Sequence, residues 1–135
     1  DLSGRSGNVV VWSENFETRL NDQLGAMYPD YAGFLAELNA RVYDLRKIFS
    51  KRRYMHPQFR GRDSIKVVLP VLCPELSYEA MEIGDGQTAS ILWYHMITGR
   101  GDVEKIYNDL CAYCHLDTLA MVRIWEVLGG RGAAR

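Results

Sequence analysis

The chain has 135 residues, 47% of them hydrophobic, and a formal charge of −1. That size and balance suit one α/β domain over residues 1–130 with a short flexible tail at 131–135, and exclude a disordered segment. The richest apolar stretch, residues 67–72, is interrupted by Pro70 and falls far short of the roughly 20 residues that cross a bilayer, so no membrane partner is expected.

The opening residues, Asp-Leu-Ser-Gly-Arg-Ser-Gly, carry neither an initiator Met nor a charged-then-apolar leader, and read as a trimmed start. Residues 8–12, Asn-Val-Val-Val-Trp, form a β-branched run without alternation and predict a buried strand. Ser13 offers a helix cap, and a first helix is expected to Met27. Pro29 opens a second, whose Tyr31, Phe34, Leu35, Leu38 and Val42 recur at helical spacing. Residues 43–49 read as a second short strand or an exit loop.

The segment from Arg46 to Lys66 holds eight of the sixteen Lys and Arg residues, with Asp63 its single acid. Lys51, Arg52, Arg53, Arg60, Arg62 and Lys66 attract phosphate there, and Tyr54, His56 and Phe59 interleave with them as aromatic platforms do in single-strand binders; a solvated loop is the plainer alternative. Asp63-Ser64 caps a short helix over residues 65–72, and a helix over 87–98 closes at Gly99. The longest helix starts after Asp102 and stops at Gly129-Gly130. One or two strands and about five helices leave the buried strand without obvious neighbours for its backbone hydrogen bonds.

At roughly 100° per residue, the last helix gathers Val103, Ile106, Leu110, Cys114, Met121, Ile124, Trp125 and Leu128 into one buried stripe. Asp117 falls in its middle. A carboxylate facing a core must be neutralised, paired or bound to metal, since uncompensated burial costs about several kcal/mol. Tyr113, one turn earlier on the same side, can share a pocket with it. A buried Asp held by an Arg or a backbone amide is the structural alternative. Trp93 and Trp125 read as core, and His56 and His95 as partly buried or surface residues.

Tyr113-Cys114-His115-Leu116-Asp117-Thr118 resembles the third motif, Tyr-x-x-x-Asp, of the DnaQ-like 3′–5′ exonucleases, which have a ribonuclease H-like fold and use a Tyr and four acids. Ser13-Glu14-Asn15-Phe16-Glu17, directly after the first strand, resembles the second motif, with Ser13 where Asn is usual and Glu17 where Asp is usual. Val42-Tyr43-Asp44-Leu45 and Ser64-Ile65-Lys66 resemble the middle of bacterial members. No copy of the first motif, Asp-x-Glu, stands upstream of Ser13, so the resemblance implies the carboxy-terminal part of an incomplete ribonuclease H-like α/β domain whose opening strands precede Asp1.

The resemblance further implies two-metal phosphodiester hydrolysis. Glu17 and Asp117 would bind Mg2+ or Mn2+, Tyr113 would orient the attacking water, and Ser13 with the basic segment would guide single-stranded DNA or RNA. With two acids the chain by itself is expected to bind metal weakly and turn over nothing. A non-catalytic module on the same scaffold, binding nucleic acid or protein, is the alternative. Exposed strand edges would offer a homodimer contact.

Cys111-Ala112-Tyr113-Cys114-His115 also fits the haem-attachment pattern, but lies inside a long helix without an export signal. A zinc site from Cys73, Cys111, Cys114 and His115 suffers from adjacent helical residues pointing roughly 100° apart. The three cysteines cannot all pair with one another, which points to a reducing, cytoplasmic compartment.

Overall fold

A computed structural model of the protein describes residues 7–79 and 81–129. The expected tail at 131–135 and the first six residues lie outside them. The protein is α/β and mostly helical, with six α-helices, one 3-10 turn and a two-stranded parallel sheet among the described residues. It divides into two compact units, Asp1–Ser64 and Ile65–Arg135.

In the first unit, β1 (Val9–Val11) pairs in parallel with β2 (Val42–Asp44), in the register Val9 with Val42, Val10 with Tyr43 and Val11 with Asp44. Parallel strands need a long crossover. Here it is a helical hairpin, α1 (Glu14–Met27) and α2 (Pro29–Ala40). Tyr28 closes one helix and opens the next, donating its backbone N–H to Leu24 O, while Pro29 supplies a first helical residue with no N–H to satisfy. The two helices touch at Gly25, where a Cβ would lie 3.3 Å from Ala32 Cα. Gly25→Val is therefore expected to force α1 and α2 apart and cost about 1–3 kcal/mol, read as a lower denaturation midpoint. Asn39 ties the hairpin: its amide donates to Thr18 O and Asp22 Oδ1 and its Oδ1 accepts from Asn21.

The expected apolar face of α2 is only partly covered. Leu35 and Leu38 are half-buried, but Tyr31 and Phe34 are exposed, as are Phe16, Leu20, Leu24 and Met27 along α1. Four apolar residues at spacings of four, four and three make an outward stripe on α1. The second short strand allowed for 43–49 is present as β2, one residue earlier and ending at Asp44, after which the chain enters a short α3 (Lys47–Ser50) and then the basic segment, irregular apart from a 3-10 turn at Pro57–Phe59. Leu45, Phe49 and Phe59 are buried, with Trp12 stacked on Phe49 at 5.6 Å between ring centroids.

In the second unit, α4 (Ile65–Leu72) and α5 (Gly86–Ile97) each pack on α6 (Val103–Gly129). Asp85 caps α5 through Thr88 N at 2.8 Å, and Asp102 caps α6 through Lys105 N at 3.0 Å. Asp63 is engaged with Arg46 at 2.7 Å. The buried residues of α6 are Ile106, Tyr113, Leu116, Ala120 and Ile124. That corrects the expected stripe: Val103, Cys114 and Trp125 are exposed, as is Trp93 on α5. The inward face is rotated toward Tyr113 and Ala120 because α4 and α5 cover that side of the helix. No helix among the described residues is long and apolar enough to cross a membrane.

Candidate functional site

The rotation of α6 brings Tyr113 inward and leaves Asp117 half-buried at the border of the covered face. Its carboxylate takes its hydrogen bond from a phenol, in place of the expected Arg or backbone amide. Tyr78, on the connection between α4 and α5, donates its phenolic hydrogen to Asp117 Oδ1 at 2.5 Å. Its ring lies 6.2 Å from that of Tyr113, and the Lys66 ammonium stands 5.9 Å over its face. Position 86, at the start of α5, approaches the Tyr113 hydroxyl so closely that a Cβ there would lie 3.9 Å from it.

Two phenols therefore surround one carboxylate. Burial, and then the negative charge of Asp117, push the Tyr113 phenol up to about 12. Burial also raises the Tyr78 phenol, and further, with the hydrogen bond to Asp117 as its second cause. Asp85 adds its charge near Tyr113 and is itself held below the usual carboxylate range, first by the N–H and then by the hydroxyl of Thr88. At neutral pH the cluster thus offers protonated phenols as donors around a carboxylate acceptor.

In the first unit the predicted residues fall into separate places. Ser13 stands at the N-cap of α1 but makes no side-chain cap; its backbone oxygen accepts from Phe16 and Glu17. Asp44 Oδ2, from the end of β2, instead accepts from Glu14 N at 3.2 Å. Glu14 also forms an ion pair with Lys47. Glu14, Asp44, Lys47, Lys51 and Arg53 line a hollow of about 270 Å³. Glu17 is half-buried on the first turn of α1 and lines no part of it. Arg52, Arg60 and Arg62 line a larger hollow of about 500 Å³ with Tyr54, His56 and Phe59.

A family model described as Domain of unknown function (DUF2779) matches residues 1–64. No curated protein and no solved structure matches the chain. The matched stretch ends where the first compact unit ends, so the similarity covers the strand pair, the helical hairpin and the basic segment, and stops short of α6.

The sequence reading missed Tyr78, Asp85, Glu14 and Asp44. Tyr78 had no motif around it, and its partner lies 39 positions away. Asp85 was legible only as a turn residue, in Gly84-Asp85-Gly86. Glu14 stood inside the quoted motif, yet its ion pair depends on how α3 follows β2. Among the described residues no three of His, Cys, Asp or Glu gather to hold a metal ion. The described residues thus place two phenols beside the Asp117 carboxylate and do not make up a complete metal-holding set.

Proposed function

We propose that the chain contributes the Tyr-Asp part of a phosphodiester-hydrolysing site of the 3′–5′ exonuclease type, within a ribonuclease H-like domain that acts on single-stranded DNA or RNA. The observation that carries this reading is the half-buried Asp117 carboxylate, one helical turn from the inward Tyr113 and fixed by the Tyr78 hydroxyl. Carboxylates held at the edge of a covered helix face, with protonated phenols beside them, suit orientation of a water against a phosphorus centre. Mg2+ or Mn2+, when bound in a complete site of this kind, would supply water activation and charge neutralisation at the leaving oxygen.

In this reading Tyr113 holds the water through a phenol that stays protonated at working pH, and Asp117 fixes that phenol's surroundings while presenting its free oxygen lone pairs. Tyr78 positions Asp117. A complete site of this type would also need the two acids of an Asp-x-Glu strand; the Asp-x-Glu at Asp102-Val103-Glu104 opens α6 instead.

The test is manganese-dependent cleavage of labelled single-stranded DNA and RNA by the intact polypeptide that carries this sequence, beside the 135-residue chain. Turnover by the intact polypeptide is expected, with none detectable in Asp117→Ala. The chain by itself is expected to be silent. Cleavage that survives Asp117→Ala, or silence from a folded intact polypeptide on both substrates, overturns hydrolysis.

A second reading, a module that binds nucleic acid without cutting it, is favoured by the larger hollow, whose three arginines pair with no carboxylate among the described residues. Binding that falls steeply with salt and ignores metal would distinguish it.

A further inference from the structure

The larger hollow in the first unit combines two chemistries among its lining residues. One set is aromatic and anchored in the core: buried Phe49 and Phe59 meet edge to face at 5.8 Å, and Tyr54 and His56 lie within 6.2 Å and 5.6 Å of Phe59. Tyr54 and His56 are half-exposed, and each ring has the buried Phe59 as a neighbour. His56 Nδ1 accepts from Gln58 N at 3.3 Å, which places the proton of the neutral ring on Nε2 and leaves it a donor.

The other set is cationic. Arg52, Arg60 and Arg62 are exposed and have no carboxylate partner among the described residues, because Asp63, the acid of the segment, is already taken by Arg46. Arg52 and Arg60 occupy the left-handed region, with φ of 55° and 49°. Gly would adopt that backbone without penalty, whereas an L side chain does so at a cost. Two strained positions, each bearing a guanidinium into the same hollow, are an arrangement that plain loop closure does not require.

We propose that this hollow is a nucleotide site, taking an aromatic base against Tyr54 and His56 and its phosphate against the guanidiniums of Arg52, Arg60 and Arg62. The volume of about 500 Å³ lies within the range of small-ligand sites, which runs from about 300 to 1,000 Å³. Stacking on an aromatic ring serves any base, and forked guanidiniums match phosphate oxygens two at a time. The nucleotide is either free or one unit of a single strand. The site deepens the nucleic-acid reading above by naming what the basic segment holds, and it makes no use of Asp117 or of metal.

The experiment is calorimetric titration of the whole chain in chelator, so that its outcome is independent of hydrolysis, with AMP, adenosine, ribose 5-phosphate, inorganic phosphate and an oligoadenylate as probes. AMP or the oligoadenylate is expected to bind at least ~10-fold tighter than adenosine or ribose 5-phosphate, since each of these lacks one of the two contacts. Arg52→Gly/Arg60→Gly is expected to weaken that binding by ~10-fold or more while leaving the melting temperature unchanged or higher. Tyr54→Leu is expected to weaken the base-bearing probes and not ribose 5-phosphate, in a variant whose melting confirms the fold.

Tight binding of AMP assigns the site to a free nucleotide. Binding of the oligoadenylate without AMP assigns it to a strand, with the slope of log K against log salt reduced by roughly 0.7 for each phosphate contact removed. Equal binding of inorganic phosphate and AMP, insensitivity to Arg52→Gly/Arg60→Gly, or no binding of any probe at millimolar concentration overturns the proposal.

Discussion

Leu69→Ala is expected to lower the unfolding free energy of the second unit by about 2–5 kcal/mol, well beyond what a surface substitution on the same helix would cost. Leu69 is fully buried, as is its neighbour Val68, and both lie on the short α4 that packs on α6. Truncation removes the transfer free energy of the side chain and leaves a space that α4 cannot close by shifting along its axis. Pro70 follows directly: it has no N–H to donate, so the helix end is held partly by Cys73 N donating to Leu69 O at 2.7 Å. Loss of packing at Leu69 therefore also loosens the hydrogen bond that finishes the helix. The effect is measured by amide exchange on α4 and α6, which isolates this unit from the other. Cys114→Ser is the informative contrast. On α6 it stands where the sequence pattern predicts core and the structure places solvent, so its expected effect is within about 0.5 kcal/mol. A large loss at Cys114 with a small one at Leu69 would mean that α6 is turned the other way.

That contrast shows where sequence reasoning reached its limit. The boundaries of α1, α5 and α6 and the start of α2 were legible because each is punctuated by residues with a local physical role: Ser13 and Pro29 at starts, Asp102 as a cap, and Gly99, at φ of 67°, just beyond an end; the end of α2 was not, since Val42, expected on that helix, begins β2. The phase of α6 was not, because apolar residues occur all around it. Val103, Tyr107, Val122 and Trp125 make as good an apolar pattern as Ile106, Tyr113, Ala120 and Ile124, and the latter four are the buried ones. The same ambiguity put Tyr31 and Phe34 in the core. On α2, the close approach at Gly25 and the Asn39 hydrogen bonds set the helix rotation, and neither is visible as periodicity.

The candidate site divides along the same line. Tyr113 and Asp117 sit one turn apart on one helix, so their proximity follows from helical geometry and could be read directly. Tyr78 reaches them across 39 positions, through the packing of α4 and the irregular connection after it. The basic segment was legible as charge. Its organisation into a hollow rests on two left-handed arginines and on the Arg46–Asp63 pair, which removes the one local counter-charge. Local rules gave the inventory of groups, and long-range contacts decided which of them face one another.

Tyr78→Phe is expected to cost about 1–3 kcal/mol, because the substitution keeps the ring and deletes only the hydrogen donated to Asp117, leaving a half-buried carboxylate short of a donor. The pH dependence gives a second, independent readout. Both phenols lie above the ordinary Tyr value of 10.0 in the folded protein. A raised phenol stabilises the fold fully below its unfolded value and loses that contribution as pH climbs through the folded one. For Tyr113 the window runs from about 10 to about 12. Stability of the native chain should therefore fall steeply above pH ~10, and the slope should flatten in Tyr78→Phe and in Tyr113→Phe. Ultraviolet titration should show Tyr78 and Tyr113 among the tyrosines that ionise late in the native chain. In Asp117→Asn, which removes the charge and keeps the shape, Tyr113 should ionise earlier, since the carboxylate is its second cause after burial. A Tyr113 that still titrates late in Asp117→Asn would assign the whole shift to burial and take away the electrostatic link between the two residues. Under the hydrolytic reading Tyr78 positions Asp117, so Tyr78→Phe in the intact polypeptide should lower turnover while leaving metal-free nucleotide binding in the other unit unchanged.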